Sequence, residues 1–236
     1  GARAAVDRVL QVNGSRPLDP GVRLIAPPAF AADEGLLGPA LRRRSLGIFT
    51  TCFLVALSYY GIFIWLPVEL VKGGLGFVRG YGFLVLMALA QVPGYALAAH
   101  CIESLGRRRT LQIFLLLSAT GCLLFVVATG PWALAASLLL MSFALLGTWG
   151  ALYAYTPELF PTALRATGMR SVHSCGSMVG TASAVSRVAG LLAPSLLGVI
   201  IARGFGTAIG FFAVLLVLAA AATLIIPAET RAIAIA

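Results

Sequence analysis

Residues 131–156 read PWALAASLLLMSFALLGTWGALYAYT. This stretch contains no charged residue, and its apolar residues do not alternate with polar ones. A hydrocarbon core of about 30 Å takes about 20 helical residues to cross. A barrel strand would instead need a period of two over about ten residues. In hydrocarbon every backbone amide must be satisfied within its own segment, so a run of this kind is a transmembrane helix. Working outward, similar segments lie near 46–71, 80–101, 110–129, 176–201 and 206–226. The expected fold is an all-α membrane protein with six transmembrane helices in one bundle.

Composition agrees. Of 236 residues, 60% are hydrophobic and 11% charged, whereas a soluble domain carries about 25% charged residues to face water. The formal charge is +9. Nucleic-acid binders gather such an excess on one wet face with interleaved aromatics, but here the arginines fall between apolar runs. No nucleic-acid partner is expected, and the lipid bilayer takes that place. Counted by side, Arg3, Arg8, Arg16, Arg23, Arg42, Arg43, Arg44, Arg107, Arg108, Arg109, Arg165, Arg170 and Arg231 share one face. Lys72, Arg79 and Arg203 lie on the other. The positive-inside rule then places both chain ends in the cytoplasm, with a plasma (inner) membrane as the expected location.

Three regions are expected. Residues 1–45 form a cytoplasmic segment with a short amphipathic helix carrying Val6, Val9, Leu10 and Val12, followed by a Pro- and Gly-rich stretch. Residues 46–226 form the bundle, and 227–236 a cytoplasmic tail. No signal peptide opens the chain. A carrier chain starting with a long polar segment is expected to have its N-terminal six-helix half elsewhere. Cys52, Cys101, Cys122 and Cys175 have no paired spacing and read as small buried apolar residues. His173 and Ser177 stand four apart, but a serine nucleophile and its base belong on facing helices. With no phosphate loop, zincin helix or dinucleotide fingerprint, neither enzyme chemistry, a cofactor nor a metal site is expected.

Two further stretches are not explained by spanning alone. ESLGRRRTL holds Glu103, Gly106, Arg107, Arg108 and Arg109; by itself such a turn also serves simply to orient helices. YTPELFPTALRATGMR places Pro157 and Pro161 around Glu158, with Arg165 seven residues on. A carboxylate and a guanidinium at a helix end can pair and act as a latch that breaks in one conformation. As a static surface pair they would contribute little.

ESLGRRR resembles the Asp/Glu-x-x-Gly-Arg-Arg loop of the major facilitator superfamily. PELFPTALRATG resembles the Pro-Glu-x-x-Pro-Thr-x-x-Arg motif of its sugar-porter and organic-ion branches, and PAETR, with Glu229 and Arg231, resembles their ending. In those families the motifs follow helices 8, 10 and 12, so the resemblance implies the C-terminal half of that fold over about residues 46–231. SYYGIFIWLP (58–67) and SRVAGLLAP (186–194) are similar to helices 7 and 11 of organic-ion and niacin-type carriers, including the synaptic-vesicle-glycoprotein-like group. The Gln-Gln and Gly-Pro-x-x-Trp signatures of sugar porters are missing. RSVHSCGSMV (170–179) departs from the pattern by intervening before helix 11.

The resemblance implies secondary active transport of a small organic solute by alternating access, with protons as the driving ion. It also implies a conformational latch made of Glu103, Gly106, Arg107, Arg108, Glu158, Arg165, Glu229 and Arg231. Other readings are a non-transporting binding or scaffold protein, or a carrier of sugar or organic cations. Arg187 is the most informative residue, because a guanidinium deep in a helix costs at least about 2.5–3.5 kcal/mol and faces a cavity or a partner. Its counter-charge is the substrate, the absent half, or water reached by snorkelling. An arginine at this position resembles the anion-handling branch, which implies an organic anion such as an aromatic carboxylate. Tyr59, Tyr60, Gln91, Trp149 and Tyr153 are mid-segment, carry polar handles and could complete the pocket. Helix packing or lipid contact would account for the same residues.

Overall fold

The computed structural model describes residues 2–12, 14, 16, 19, 38–39, 41–72, 81–160 and 178–227. Among the described residues there is no strand. A short helix α1 (Ala2–Val12) precedes α2 (Arg42–Lys72), α3 (Tyr81–Leu105), α4 (Arg107–Val127), α5 (Pro131–Glu158), α6 (Met178–Ile201) and α7 (Phe205–Ala222), which ends in a 3₁₀ turn at Thr223–Ile225. Helices α2 to α7 are all long and apolar enough to cross a membrane, which gives the six expected spans. The chain is a multi-pass integral membrane protein.

Helix ends differ from the sequence expectation at three places. Arg42, Arg43 and Arg44 are not a leader to α2 but its first turn. The ESLGRRR stretch is hardly a loop: α3 continues to Leu105, Gly106 alone breaks it with φ 97°, and Arg107–Arg109 open α4. Positive φ is open to glycine because it has no Cβ, so one residue suffices to reverse the chain. Pro157 lies inside the last turn of α5 rather than ending it, and Leu159 follows as the cap.

Polar residues inside the spans satisfy themselves locally. Thr51, Ser58, Ser118, Thr148 and Thr156 each donate a hydroxyl to the carbonyl four residues back, at 2.7–3.0 Å, which hides their polarity from hydrocarbon. Small residues then let the helices approach. A Cβ on Gly94 of α3 would collide with the backbone of Phe143 on α5, the close crossing that small residues provide in membranes.

Helix α5 packs on α3 and α4, α4 on α7, α7 on α2, and α2 on α6. Helices α5 and α6 touch only sparsely, so a cleft is left between them with α2 as its floor. The core of the bundle, around Ile48, Leu115, Leu145, Tyr155 and Phe212, lies behind that cleft. Helices α3 and α6 are the least covered by the rest of the bundle.

Candidate functional site

The cleft encloses about 420 Å³ and is lined from three helices. Helix α2 contributes Cys52 and Tyr60. Helix α5 contributes Trp149, Leu152, Tyr153, Thr156 and Pro157, and α6 contributes Ala182, Ser183, Ser186 and Arg187. Arg187 stands seven residues into the apolar span Gly180–Ile201, which is roughly 10 Å along the axis at about 1.5 Å per residue. That depth lies well inside a hydrocarbon core of about 30 Å.

Arg187 is exposed to the cleft. Among the described side chains, the carboxylates of the spanning helices are Glu103 and Glu158, and both belong to the corner where α3, α4 and α5 meet. Neither is paired with Arg187. A guanidinium presents a planar fork of donors, which suits a carboxylate held in two places at once.

The wall facing it is a run of aromatic rings. Tyr60 meets Tyr59 edge-on at 5.4 Å, Tyr59 meets Trp149 edge-on at 6.0 Å, and Trp149 stacks on Tyr153 at 5.3 Å. These separations are those of favourable ring pairs. Trp149 is 92% buried, being 8% exposed, whereas Tyr153 is 64% exposed and offers its ring to an arriving molecule. Toward the end of α5 the lining turns polar. The Thr156 and Ser186 hydroxyls donate to Leu152 and Ala182 carbonyls at 2.7 and 3.0 Å, which leaves their oxygens as acceptors.

Of the six residues expected in the pocket, Arg187, Tyr60, Trp149 and Tyr153 line the cleft. Tyr59 stands one layer back and buttresses both Tyr60 and Trp149. Gln91 is elsewhere: its Nε2 donates to Ser142 Oγ at 3.1 Å, and Ser142 in turn donates to the Met87 carbonyl at 2.8 Å. That network ties α3 to α5. A polar group within a span satisfies itself on the neighbouring helix when one is in reach, so mid-segment position alone did not distinguish a pocket residue from a strut. Cys52, Thr156, Ser183 and Ser186 line the cleft without having been singled out. Nothing in their local sequence separates them from other small residues of apolar helices.

The latch residues are only partly described. Arg107 Nε donates to both oxygens of Glu158, at 3.2 and 3.0 Å, and Arg107 Nη2 lies 3.2 Å from Glu103, one turn earlier. Arg107 and Glu158 are 15% and 18% exposed, and Glu103 is 74% exposed. Gly106 is the break that aims Arg107 at this corner, and Arg108 follows it in the first turn of α4. Arg165, Glu229, Arg231 and the intervening stretch up to Ser177 lie outside the described residues. The structure adds Arg44, whose Nη1 donates to the Leu159 carbonyl at 3.1 Å and so occupies an acceptor left free at the end of α5. Glu158 follows directly on Pro157, a lining residue of the cleft, so ion pair and cleft share the last turn of α5.

The family model described as Major Facilitator Superfamily matches residues 11–177. The chain is 39% identical over 181 residues to a Bacillus subtilis (strain 168) protein named provisionally as the niacin/nicotinamide transporter NiaP; the match spans 76% of this chain and 43% of that protein. It is 38% identical over 191 residues to the niacin transporter NiaP of Acinetobacter baylyi, spanning 80% of this chain and 41% of that protein. It is 27% identical over 255 residues to the synaptic vesicle 2-related protein of Xenopus laevis, spanning 98% and 44%. The chain thus spans about two fifths of the length of these curated relatives.

Proposed function

The chain belongs to the Major Facilitator Superfamily, and from that premise we propose that it is the C-terminal six-helix half of a carrier for small organic anions. Its partner is an N-terminal six-helix half, and the two bundles rock about a site between them so that each side of the membrane gains access in turn. The substrate is a planar aromatic carboxylate. Its carboxylate takes the Arg187 fork and its ring stacks on Tyr153 and Trp149, with Tyr60 closing the far wall. The proton is the driving ion, and the acid that carries it belongs to the partner half. Both chain ends face the cytoplasm of a plasma (inner) membrane.

The observation that carries this reading is Arg187, a guanidinium well inside a membrane span that is open to a ring-walled cleft and unpaired with any described carboxylate. Such a charge is retained only against a high insertion cost, and a bound anion offsets that cost. The same charge repels an organic cation. Two of the relatives are named for niacin, itself a planar ring bearing a carboxylate.

The Arg107–Glu158 pair acts as the latch. It ties the last turn of α5, which also lines the cleft at Pro157, to α4, and is released when that turn moves. Uptake of labelled nicotinate into cells expressing this chain, with and without a six-helix N-terminal half, tests the reading. Energised uptake by the pair is expected. A correctly inserted pair that takes up neither nicotinate nor benzoate would remove it.

A further inference from the structure

Gly190 stands three residues beyond Arg187 on α6, on the same side of that helix. A Cβ built there would lie 2.9 Å from Cδ2 and 3.0 Å from Cε2 of Tyr60 on α2. The Tyr60 ring therefore rests against α6 at a point where a Cβ would force it to shift. Tyr60 also bounds the cleft, and Tyr59 packs edge-on beside it at 5.4 Å. Eight residues further along α6, a Cβ on Gly198 would meet nothing within 4 Å. The contact at Gly190 is thus a local fit and not a general demand of α6 for glycine.

We propose that Gly190 is a specificity-determining position that seats Tyr60 against α6 and so keeps the cleft wide enough for a ring beside Arg187. The inference rests on the anion site proposed above. A methyl group at position 190 must displace the Tyr60 ring. The colliding atoms belong to a side chain and not to backbone, so the helices can stay in place while the ring moves. Tyr59 occupies one side of it and the cleft lies on another; a ring that swings into the cleft takes the berth of a ring-bearing acid.

The test is a double-mutant cycle read by benzoate uptake, with the chain paired to its N-terminal half. Gly190→Ala is expected to lower kcat/KM for benzoate about ten-fold or more, mainly through KM, the scale on which one methyl group alters a fitted pocket. Gly198→Ala is expected to match wild type. In a Tyr60→Ala background the Gly190→Ala change is expected to have no further effect, because the ring it displaces is gone. An unchanged kcat/KM in Gly190→Ala, or an equal loss in both backgrounds, would overturn the inference while leaving the anion site standing. A wild-type pair that takes up no benzoate or nicotinate would remove the anion site itself, and this inference with it.

Discussion

Arg107 at the start of α4 and Glu158 at the end of α5 form a single ion pair in which one Nε–H is shared by both carboxylate oxygens, at 3.2 and 3.0 Å. The residues are 51 apart in sequence and the bond is largely shielded from water. Hydrogen bonds to charged groups contribute about 1.5–3 kcal/mol, enough to shift a two-state equilibrium by ten-fold or more. Glu158→Gln should therefore change how readily the cleft opens. Cys52 reports on this, since it is free and lies in the cleft lining. With the other cysteines replaced by serine, maleimide should label Cys52 several-fold faster in Glu158→Gln, and the Arg107→Glu/Glu158→Arg exchange should bring the rate back. Equal labelling in all three would mean that the pair is static.

Glu103 completes the same corner but is largely in water. Exposed pairs are worth about 0–1 kcal/mol, so Glu103→Gln should leave Cys52 labelling within two-fold of wild type, assayed alongside Glu158→Gln. A Glu103 effect as large as that of Glu158 would make the network, and not the single pair, the latch.

Gly94 fixes the α3–α5 crossing. Gly94→Ala drives a methyl into the backbone at Phe143, where no rotamer change can relieve it, and overpacking of this kind costs about 1–3 kcal/mol. Thermal unfolding in detergent should start several degrees lower than wild type. Gly82→Ala, which meets nothing within 4 Å, should be neutral in the same assay.

Gln91 distinguishes a strut from a pocket residue. Gln91→Leu removes a hydrogen bond to Ser142, and such bonds within membranes average about 0.6 kcal/mol. A small loss of thermal stability with an unchanged KM for nicotinate is expected. A large rise in KM would return Gln91 to the site.

The spans were legible because hydrocarbon imposes one rule on every residue of a segment, and the sequence obeys it six times over. Arg187 was legible for the opposite reason, since one residue breaks that rule. The aromatic wall was legible only in part. Tyr60, Trp149 and Tyr153 reach the cleft, yet Gln91, equally polar and equally mid-segment, turns to Ser142, because which way a helix faces is decided by its neighbours. Arg44 looked like one of three orienting charges, and its bond to the Leu159 carbonyl depends on a residue 115 positions away. Gly190 carried no signal beyond its place in the SRVAGLLAP stretch, for its meaning lies in the Tyr60 ring across the helix boundary.

Arg187→Lys separates charge from geometry. Lysine keeps the charge but loses the planar fork, so nicotinate uptake should fall by about ten-fold while retaining some activity, measured as kcat/KM. Full activity would mean that a point charge suffices.

The most direct test is parallel uptake of labelled nicotinate by wild-type and Arg187→Ala chains, each paired with the N-terminal half and matched for membrane insertion. Removing one partner of a desolvated charge pair costs about 2–5 kcal/mol, so uptake should drop at least about thirty-fold. Wild-type uptake in Arg187→Ala would contradict the anion site.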